Sequence, residues 1–282
     1  MNISIVIPAH NEEDYIALML ESLTLQTILP KQVIVVNDHS TDHTQKIINS
    51  FLPHNSWLKT IEIESSTNHI PGSKVIHAFY KGLEALDDNY DIICKFDADI
   101  ILPNNYLESI ASIFKSDEKV GIAGGLAFIK KKDQWIYEAI ASKKHVRGPF
   151  KAYKKQCFKE IGGLKRSIGW DTVDVLLAKY HGWTIKTNEL LQVKHLKPTG
   201  LSYTKSSRFL QGEAFYKMRY GLTITFISAL KKGIKKRSLL SFTNDLKGFF
   251  KAKNEKLDFL VSEEEGKFIR KLRWKGMLDK LK

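Results

Sequence analysis

The N-terminal third of the chain repeats one pattern, in which a short apolar run is followed by polar turn residues and then by a helical segment. The apolar runs are Ile3–Ile7, Gln32–Asn37, Leu58–Glu64 and Ile92–Phe96. Helical segments are predicted after the first three runs, ending near Gln26, Leu52 and Leu86, and the first of them is expected to have Glu12, Glu13 and Asp14 in its first turn. This alternation predicts an α/β fold with a parallel sheet covered by helices.

The fourth apolar run ends in two carboxylates, Asp97 and Asp99, on either side of Ala98. Alternate residues of an extended chain point the same way, so the two carboxylates could bind one hard cation. Open α/β sheets bind their ligands at this end of the strands. The alternative interpretation is a turn that Asp99 begins ahead of Pro103.

Two further polar loops follow the first and second strands: Pro8-Ala9-His10-Asn11-Glu12 and Asn37-Asp38. In a parallel sheet, the carboxyl ends of all these strands meet in one crevice. A nucleotide would find there the carboxylates and amides that accept hydrogen bonds from base and ribose. The chain has no glycine-rich phosphate loop, so a cation bound by Asp97 or Asp99 would have to neutralise a phosphate.

Three segments, Val6–Glu13, Val36–Asp42 and Phe96–Asp99, resemble the nucleotide-sugar motifs of family-2 glycosyltransferases. The resemblance covers about residues 3–200 and implies the GT-A fold, a Rossmann-like, mostly parallel sheet flanked by helices. It implies a UDP- or GDP-sugar as donor substrate, Mg²⁺ or Mn²⁺ as cofactor, and Asp97 and Asp99 as ligands of that cation. The residues implied to bind the donor are Pro8, Ala9, Asn11, Glu12, Asp38, Asp97 and Ala98.

Downstream, Gly169–Asp174 resembles the acidic motif that supplies the family's general base, and the distance to Gly182 assigns that role to Asp171. A base on the side opposite the leaving group would give a single displacement with inversion. The alternative is structural: Asp171 would be an ordinary N-cap and Asp174 a first-turn carboxylate that the helix dipole favours.

Two other residues are assigned roles with open alternatives. His195, in Val193-Lys194-His195, resembles the late histidine that completes the metal or phosphate site in many GT-A enzymes; otherwise it is a solvated loop residue. Lys74, at a predicted helix start, would contact donor phosphate or be a surface lysine. Arg147-Gly148 occupies the place of the family's glycine-containing loop near donor and acceptor.

The chain is predicted to divide into a catalytic domain (1–204) and a basic helical C-terminal region (205–282). The catalytic domain would consist of a nucleotide-sugar-binding half (1–102) and an acceptor-facing half (103–204), with residues 130–169 over one edge of the sheet. Further predicted strands are Val120–Phe128 and Leu190–His195. Further predicted helices are Tyr106–Lys115, Asp171–Gly182, Lys205–Met218, Leu222–Ile234 and a last helix that a Ser262–Glu265 capping box opens.

The C-terminal region holds most of the net charge of +13, because it contains 20 Lys and Arg but only 8 Asp and Glu. With Phe249, Phe250 and Trp274, this charge predicts binding to an anionic membrane surface and no nucleic-acid partner. The alternative is a helical cap over the sheet edge or a homodimer contact. Two widely separated cysteines and the absence of a secretory signal predict a cytoplasmic protein, peripheral at the inner face of the cell membrane.

The sequence therefore predicts a metal-dependent, inverting glycosyltransferase that acts on a polysaccharide or lipid-linked saccharide. Two alternatives remain at this point. One is a sugar nucleotidyltransferase, which would need a glycine-rich basic loop after the first strand. The other is a catalytically idle sheet whose basic C-terminal region binds membrane or nucleic acid.

Overall fold

The computed structural model describes residues 1–65, 72–197 and 208–279. The strands are β1 (Ile3–Ala9), β2 (Gln32–Asp38), β3 (Leu58–Ile63), β4 (Ile92–Phe96), β5 (Ile100–Ile101), β6 (Val120–Lys131), β7 (Gln134–Tyr137), β8 (Phe150–Lys154) and β9 (Thr184–His195). The helices are α1 (Ile16–Thr24), α2 (Thr44–Phe51), α3 (Ser73–Glu84), α4 (Tyr106–Ser116), α5 (Lys155–Glu160), α6 (Trp170–Tyr180), α7 (Leu210–Lys217), α8 (Gly221–Lys236), α9 (Leu239–Asn254) and α10 (Glu263–Leu278).

Within these described ranges, nine strands form one sheet in the order β3-β2-β1-β4-β8-β6-β9-β5, and β7 pairs with the C-terminal end of β6. The first four strands are parallel, as predicted from the βα repeat. The later strands make the sheet mixed, because β8 runs antiparallel to both β4 and β6 while β9 is parallel to β6. The carboxyl ends of β1, β2 and β4 therefore lie at one edge.

Residues 130–169 lie only partly over one edge of the sheet, and the prediction was wrong for the rest. They contain β8, which is inserted in the centre of the sheet between β4 and β6. The segment Phe150–Lys154 carries two lysines, which made it look like a surface loop. Lys151 is fully buried because its ammonium binds the Asp174 carboxylate, and this pairing allows a charged residue in a central strand.

Alternating side chains of the parallel strands build two separate apolar layers. Ile5 and Ile7 of β1 pack with α1, α2 and α4 on one face, whereas Val6 packs with α3, α5 and α6 on the other. Each core strand is buried on both sides, which explains the nearly continuous apolar runs. The C-terminal helices extend the second layer through residues such as Phe215 and Ile269.

The first helix begins later than predicted. Glu12, Glu13 and Asp14 were expected in its first turn, but α1 begins at Ile16. The Glu12 carbonyl accepts the N–H groups of Tyr15 (3.0 Å) and Ile16 (2.9 Å), which forms a turn before the helix. The Glu13 carboxylate accepts the His43 N–H at 2.9 Å. These acidic residues therefore shape a loop at the sheet edge.

The C-terminal helical region is present, and the capping box that opens its last helix is confirmed. Ser262 accepts the Glu265 N–H at 3.2 Å, and the Glu265 carboxylate accepts the Ser262 N–H at 2.6 Å. The predicted domain boundary at 204 and the predicted helix start at Lys205 lie outside the described residues. Among the helices described, none combines the length and the apolar character that a bilayer crossing requires.

The helices of this region pack closely on one another and on α6. Gly212 of α7 lies against the backbone of α9, where an added Cβ would clash with the Asp245 carbonyl oxygen. Phe249, which the sequence predicted to contact lipid, is a core residue with 5% exposure, so that prediction was wrong. Phe250 and Trp274 are exposed, at 42% and 40%.

Candidate functional site

Two loops at the sheet edge are joined by Asn11, which follows β1. Its backbone has a positive φ of 52°. The Asn11 N–H donates to Ser40 Oγ (2.9 Å), and the Asn11 side-chain oxygen accepts the Thr41 N–H (2.8 Å). Asn11 lines neither of the cavities described below. Its side chain instead fixes the first loop to the loop that follows β2.

A cavity of about 700 Å³ lies beside these loops. Pro8, Ala9, Asp38 and Lys74 line it, as does Ala98. Asp38, the last residue of β2, accepts hydrogen bonds from the backbone N–H (2.9 Å) and the hydroxyl (2.7 Å) of Ser65. These bonds fix the Asp38 carboxylate at the cavity wall. Lys74 stands in the first turn of α3, where a cation can meet an anionic group in the cavity.

Three predicted metal ligands lie close together, and two of them, Asp97 and Asp99, line this cavity. One ligand atom from each of Asp97, Asp99 and His195 lies within 4.8 Å of those of the other two. His195 reaches the cluster because β9 pairs with the two-residue strand that follows Asp99. Burial, followed by the nearby Asp97 charge, raises the pKa of Asp99. A divalent cation would relieve that repulsion, so the donor set fits Mg²⁺ or Mn²⁺.

The two ring nitrogens of His195 face different carboxylates. Nε2 lies 3.7 Å from Asp99 Oδ2, and Nδ1 lies 3.5 Å from Glu138 Oε2. Glu138 also pairs with the Arg147 guanidinium, and both groups are buried. Metal-binding histidines commonly have a carboxylate at their second nitrogen, which orients the ring. Glu138 is placed where it could orient the His195 ring, and the sequence did not reveal this contact.

Two buried lysines, Lys95 and Lys151, lie close to the indole ring of Trp170. Lys95 of β4 contacts the Asp97 carboxylate, and its ammonium lies 5.1 Å from the Trp170 ring centroid. Lys151 of β8 lies 5.7 Å from the same ring. Cation–π contacts of this kind are stronger when both groups are shielded from water. They fix the start of α6 relative to the central strands.

Asp171 and Asp174 have different environments, although they lie three residues apart on α6. Asp171 lines the cavity. The Asp174 carboxylate is buried and accepts hydrogen bonds from Lys151 (2.7 and 2.8 Å) and from the Tyr153 hydroxyl (2.5 Å). Burial raises the pKa of Asp174, and the Lys151 charge opposes that rise. Asp174 is therefore structural, while Asp171 is available to a ligand.

The alternative interpretation of Asp171, as an ordinary N-cap, is not supported. Gly169 is the N-cap of α6, and no side chain caps this helix terminus. The Asp171 carbonyl accepts a hydrogen bond from Lys151 at 2.5 Å, which holds the first turn in place. The Asp171 side chain is left facing the cavities.

Gly148 allows the loop before β8 to pass closely over this helix terminus. An added Cβ would lie 2.9 Å from the Trp170 ring and 3.3 Å from the Asp171 Cβ. A Gly148→Ala variant is therefore expected to displace Asp171 and to lower turnover about 10- to 100-fold, with a stability loss of roughly 1–3 kcal/mol. Steady-state kinetics and thermal unfolding measure both effects.

Gly276→Ala is the matched control, because an added Cβ on that glycine of α10 has no neighbour within 4 Å. This control should keep the turnover of the unmodified chain. Equal turnover in the two variants would show that the contact with Trp170 and Asp171 is unimportant.

A second cavity, of about 1070 Å³, adjoins the first. Asp97, Asp99 and Asp171 line both cavities and so form a shared wall. The C-terminal region supplies part of the far side of the second cavity, through side chains that include Phe215 and Arg273. The basic region is thus part of the site and not a detached tail.

His145, in the second cavity, is uncharged near neutral pH. Burial, followed by the Lys151 charge, lowers the pKa of His145 to about 4, although Asp171 opposes that shift. Its neutral ring can donate or accept one hydrogen bond beside Asp171.

Glu12 also lines both cavities, and its carboxylate binds the Lys197 ammonium at 2.6 Å. Burial raises the pKa of Glu12 to about 7, and the Lys197 ion pair partly opposes this rise. Lys197 was not identified from the sequence, and neither were the buried Lys95 and Lys151. For Lys95 and Lys151, the sequence contained one indication: each lysine lies among apolar residues of a strand, and a buried charge needs a partner.

Sequence comparison agrees with this geometry. The family profile described as Glycosyl transferase family 2 matches residues 4–167, which is more than half of the chain. Two Bacillus subtilis proteins are similar over part of their length. "Probable glycosyltransferase YdaM" is 29% identical over 44% of this chain, and "Minor teichoic acid biosynthesis protein GgaA" is 31% identical over 43%. These matches span only 29% and 26% of those two proteins.

Solved structures show the same fold. The structure of residues 1–349 of S. aureus TarS in complex with UDP-GlcNAc has a TM-score of 0.60 at 20% identity, over 78% of this chain and 65% of that one. The mannosyltransferase PcManGT from Pyrobaculum calidifontis, in complex with GDP-Man and Mn²⁺, has a TM-score of 0.57 at 15% identity, over 95% and 78%. The fold is GT-A. On the profile match, the chain belongs to glycosyl transferase family 2.

Proposed function

We propose that the protein transfers a sugar from a nucleoside-diphosphate donor to a hydroxyl group of a saccharide or lipid-linked saccharide, with inversion at the anomeric carbon. One observation carries this proposal: two adjoining cavities share a wall that contains Asp97, Asp99 and Asp171. A transferase needs a donor site and an acceptor site that meet at the reacting carbon, and this arrangement supplies both.

The smaller cavity suits the donor. Asp38 can accept hydrogen bonds from a base or ribose, while Lys74 can pair with a phosphate. Pro8, Ala9 and Ala98 offer walls without charge, which a planar base can lie against. The structural relatives support this assignment, because TarS and PcManGT were solved with UDP-GlcNAc and GDP-Man respectively.

Asp97, Asp99 and His195 would hold the divalent cation, which would offset negative charge on the departing diphosphate. The Lys95 ammonium pairs with the Asp97 carboxylate, and Glu138 would orient His195. Mn²⁺ accompanies GDP-Man in the PcManGT structure, which supports a divalent ion here. Glu12 lies close enough to add to the negative potential of this cluster, and Lys197 limits that contribution.

Asp171 acts as general base in this proposal. Its carboxylate accepts the proton of the acceptor hydroxyl while the acceptor oxygen forms a bond to the anomeric carbon. The bond from that carbon to the diphosphate oxygen breaks, and the electron pair leaves with the nucleoside diphosphate. A single displacement of this kind inverts the configuration. Lys151 and Trp170 position the base through the first turn of α6.

The larger cavity suits the acceptor. Its aromatic and apolar residues, Tyr15, Phe215 and Tyr220 among them, can pack on sugar faces, and Arg273 can bind an anionic group. The similarity to a minor teichoic acid biosynthesis protein supports an acceptor that belongs to a cell-surface polymer. Family membership argues against the nucleotidyltransferase alternative. The cavity-facing carboxylates argue against an idle sheet.

The test is turnover of a panel of UDP- and GDP-sugars, measured as release of nucleoside diphosphate with and without added saccharide acceptors. We expect at least one donor to be consumed in the presence of Mn²⁺ or Mg²⁺, and EDTA to abolish that activity. Nuclear magnetic resonance of the product anomer distinguishes inversion from retention. Activity that persists in EDTA would contradict the metal mechanism, and a retained anomer would contradict the role of Asp171.

A further inference from the structure

The turn between α8 and α9 exposes an unusual density of apolar side chains. Of the 16 large apolar side chains that are exposed in the described part of the chain, six lie between residues 222 and 240. These are Leu222 (51% exposed), Phe226 (45%), Leu230 (43%), Ile234 (69%), Leu239 (78%) and Leu240 (64%). The three most exposed surround the turn, so we call Ile234–Leu240 the hairpin tip.

The first four of these residues form one stripe along α8. They are spaced four residues apart, and each step of four turns the helix by only about 40°. Ile224 and Thr225 occupy a different face of α8 and are buried against the rest of the protein. The stripe is therefore an apolar face in addition to the one that packs in the core.

The hairpin tip is also strongly basic. Lys235, Lys236 and Arg237 are exposed, and residues 214–244 contain no Asp or Glu. By helical geometry, Lys235 lies roughly 100° around α8 from Ile234, so a cationic face adjoins the apolar one. An apolar face flanked by cations is the arrangement by which helices lie in the interface of an anionic bilayer.

Caps at both helix ends and contacts between the two helices hold the backbone of the tip in place. Arg237 has the left-handed conformation that ends α8, and Ser238 Oγ accepts the Ser241 N–H at the start of α9 (3.2 Å). Lys232 of α8 binds the buried Asp245 carboxylate of α9 at 2.8 and 2.9 Å. Phe226 and Phe242 pack edge to face, with centroids 5.4 Å apart.

From these observations we propose that the α8–α9 hairpin binds the surface of a membrane that contains anionic lipid. Leu239, Leu240 and Ile234 would enter the headgroup region, and the tip cations would pair with lipid phosphates. The charge complementarity favours lipid over a second copy of this chain, because two copies would bring like charges together. This binding surface is separate from Asp97, Asp99 and Asp171.

The experiment is vesicle flotation of the full chain, with phosphatidylcholine alone and with phosphatidylcholine containing phosphatidylglycerol. We expect the unmodified chain to bind the anionic vesicles at least about tenfold more tightly, and less so at high salt. A K235E/K236E/R237E variant should lose on the order of 100-fold in partitioning, given about fivefold for each of the three cations. An L239S/L240S variant should lose on the order of 10-fold by removing the inserted side chains.

The matched controls are K46E/K59E and L25S/L29S, which change exposed residues of the catalytic domain. They should bind vesicles as the unmodified chain does. Donor turnover with a soluble acceptor should be equal in all variants, so that lipid binding is judged independently of the proposed enzymatic activity. Circular dichroism and thermal unfolding verify that each variant folds.

Three results would overturn the proposal: no preference for anionic vesicles, unchanged binding in both tip variants, or an equal loss in the controls. Sedimentation velocity tests the remaining alternative, in which a second copy of this chain binds the same surface. If the unmodified chain is a dimer that L239S/L240S converts to monomer, the surface is an interface between copies and not a lipid site.

Discussion

An Asp171→Asn variant is expected to lose about 10²- to 10⁴-fold in kcat, because asparagine keeps the size of the side chain but cannot accept the acceptor proton. The loss should affect the transfer of the sugar to the acceptor and not the binding of the donor. Donor affinity, measured by calorimetry with the nucleoside diphosphate, should stay within about threefold. The variant should also fold normally, since the contact of residue 171 with Lys151 uses its backbone carbonyl.

Asp174→Asn is the informative comparison, because Asp174 lies one helical turn away in the same helix. Removing its charge leaves the buried Lys151 ammonium uncompensated, which we expect to cost roughly 3–5 kcal/mol in the free energy of unfolding. Thermal unfolding should therefore separate the two variants. If Asp171→Asn retained full turnover, the proposed base would have to be reassigned.

An Asp99→Ala variant is expected to lower turnover by about 10²-fold or more, since it removes a ligand of the cation that offsets the leaving-group charge. Its effect should also be visible without catalysis. Mn²⁺ binding, followed by electron paramagnetic resonance in the presence of UDP or GDP, should weaken markedly. The raised pKa of Asp99, caused first by burial and then by Asp97, makes cation binding stronger as pH rises through the range where Asp99 ionises.

The control is Asp133→Ala, an exposed carboxylate in the turn between β6 and β7 that lines neither cavity. It should leave both turnover and Mn²⁺ binding unchanged. Normal Mn²⁺ affinity in Asp99→Ala would contradict the ligand role. Normal affinity with lost turnover would instead indicate that Asp99 acts on the substrate directly.

The part of the fold that sequence predicts well is the part in which local patterns and tertiary environment agree. β1, β2 and β4 are buried on both faces, so their sequences are continuous apolar runs. The capping box at Ser262 is a local interaction and was found for that reason.

β8 was missed because Lys151 is acceptable in the core only through Asp174, which follows 23 residues later. α9 was missed because Leu239 and Leu240 are exposed where a soluble helix would carry polar residues.

For the site, the motif residues were predictable but their supports were not. Asp38 ends β2, Asp97 directly follows β4 and Asp171 lies in the first turn of α6, and the structure brings them to one cavity. Glu138, by contrast, approaches His195 only because β7 folds back along β6. Its neighbourhood in the sequence contains no sign of that contact. Such residues become visible only when the pairing of strands is known.

The central position of β8 also has a consequence for biosynthesis. β8 is the neighbour of β4 on the side away from β1, where Cys94 pairs with Ala152. This neighbour is added only after a long stretch of later sequence has left the ribosome. Until then, β4 is the open edge of a four-stranded sheet, with unpaired backbone groups that can recruit strands from other nascent chains. Translation that stops between β4 and β8 should therefore yield aggregating fragments rather than a small folded donor-binding unit.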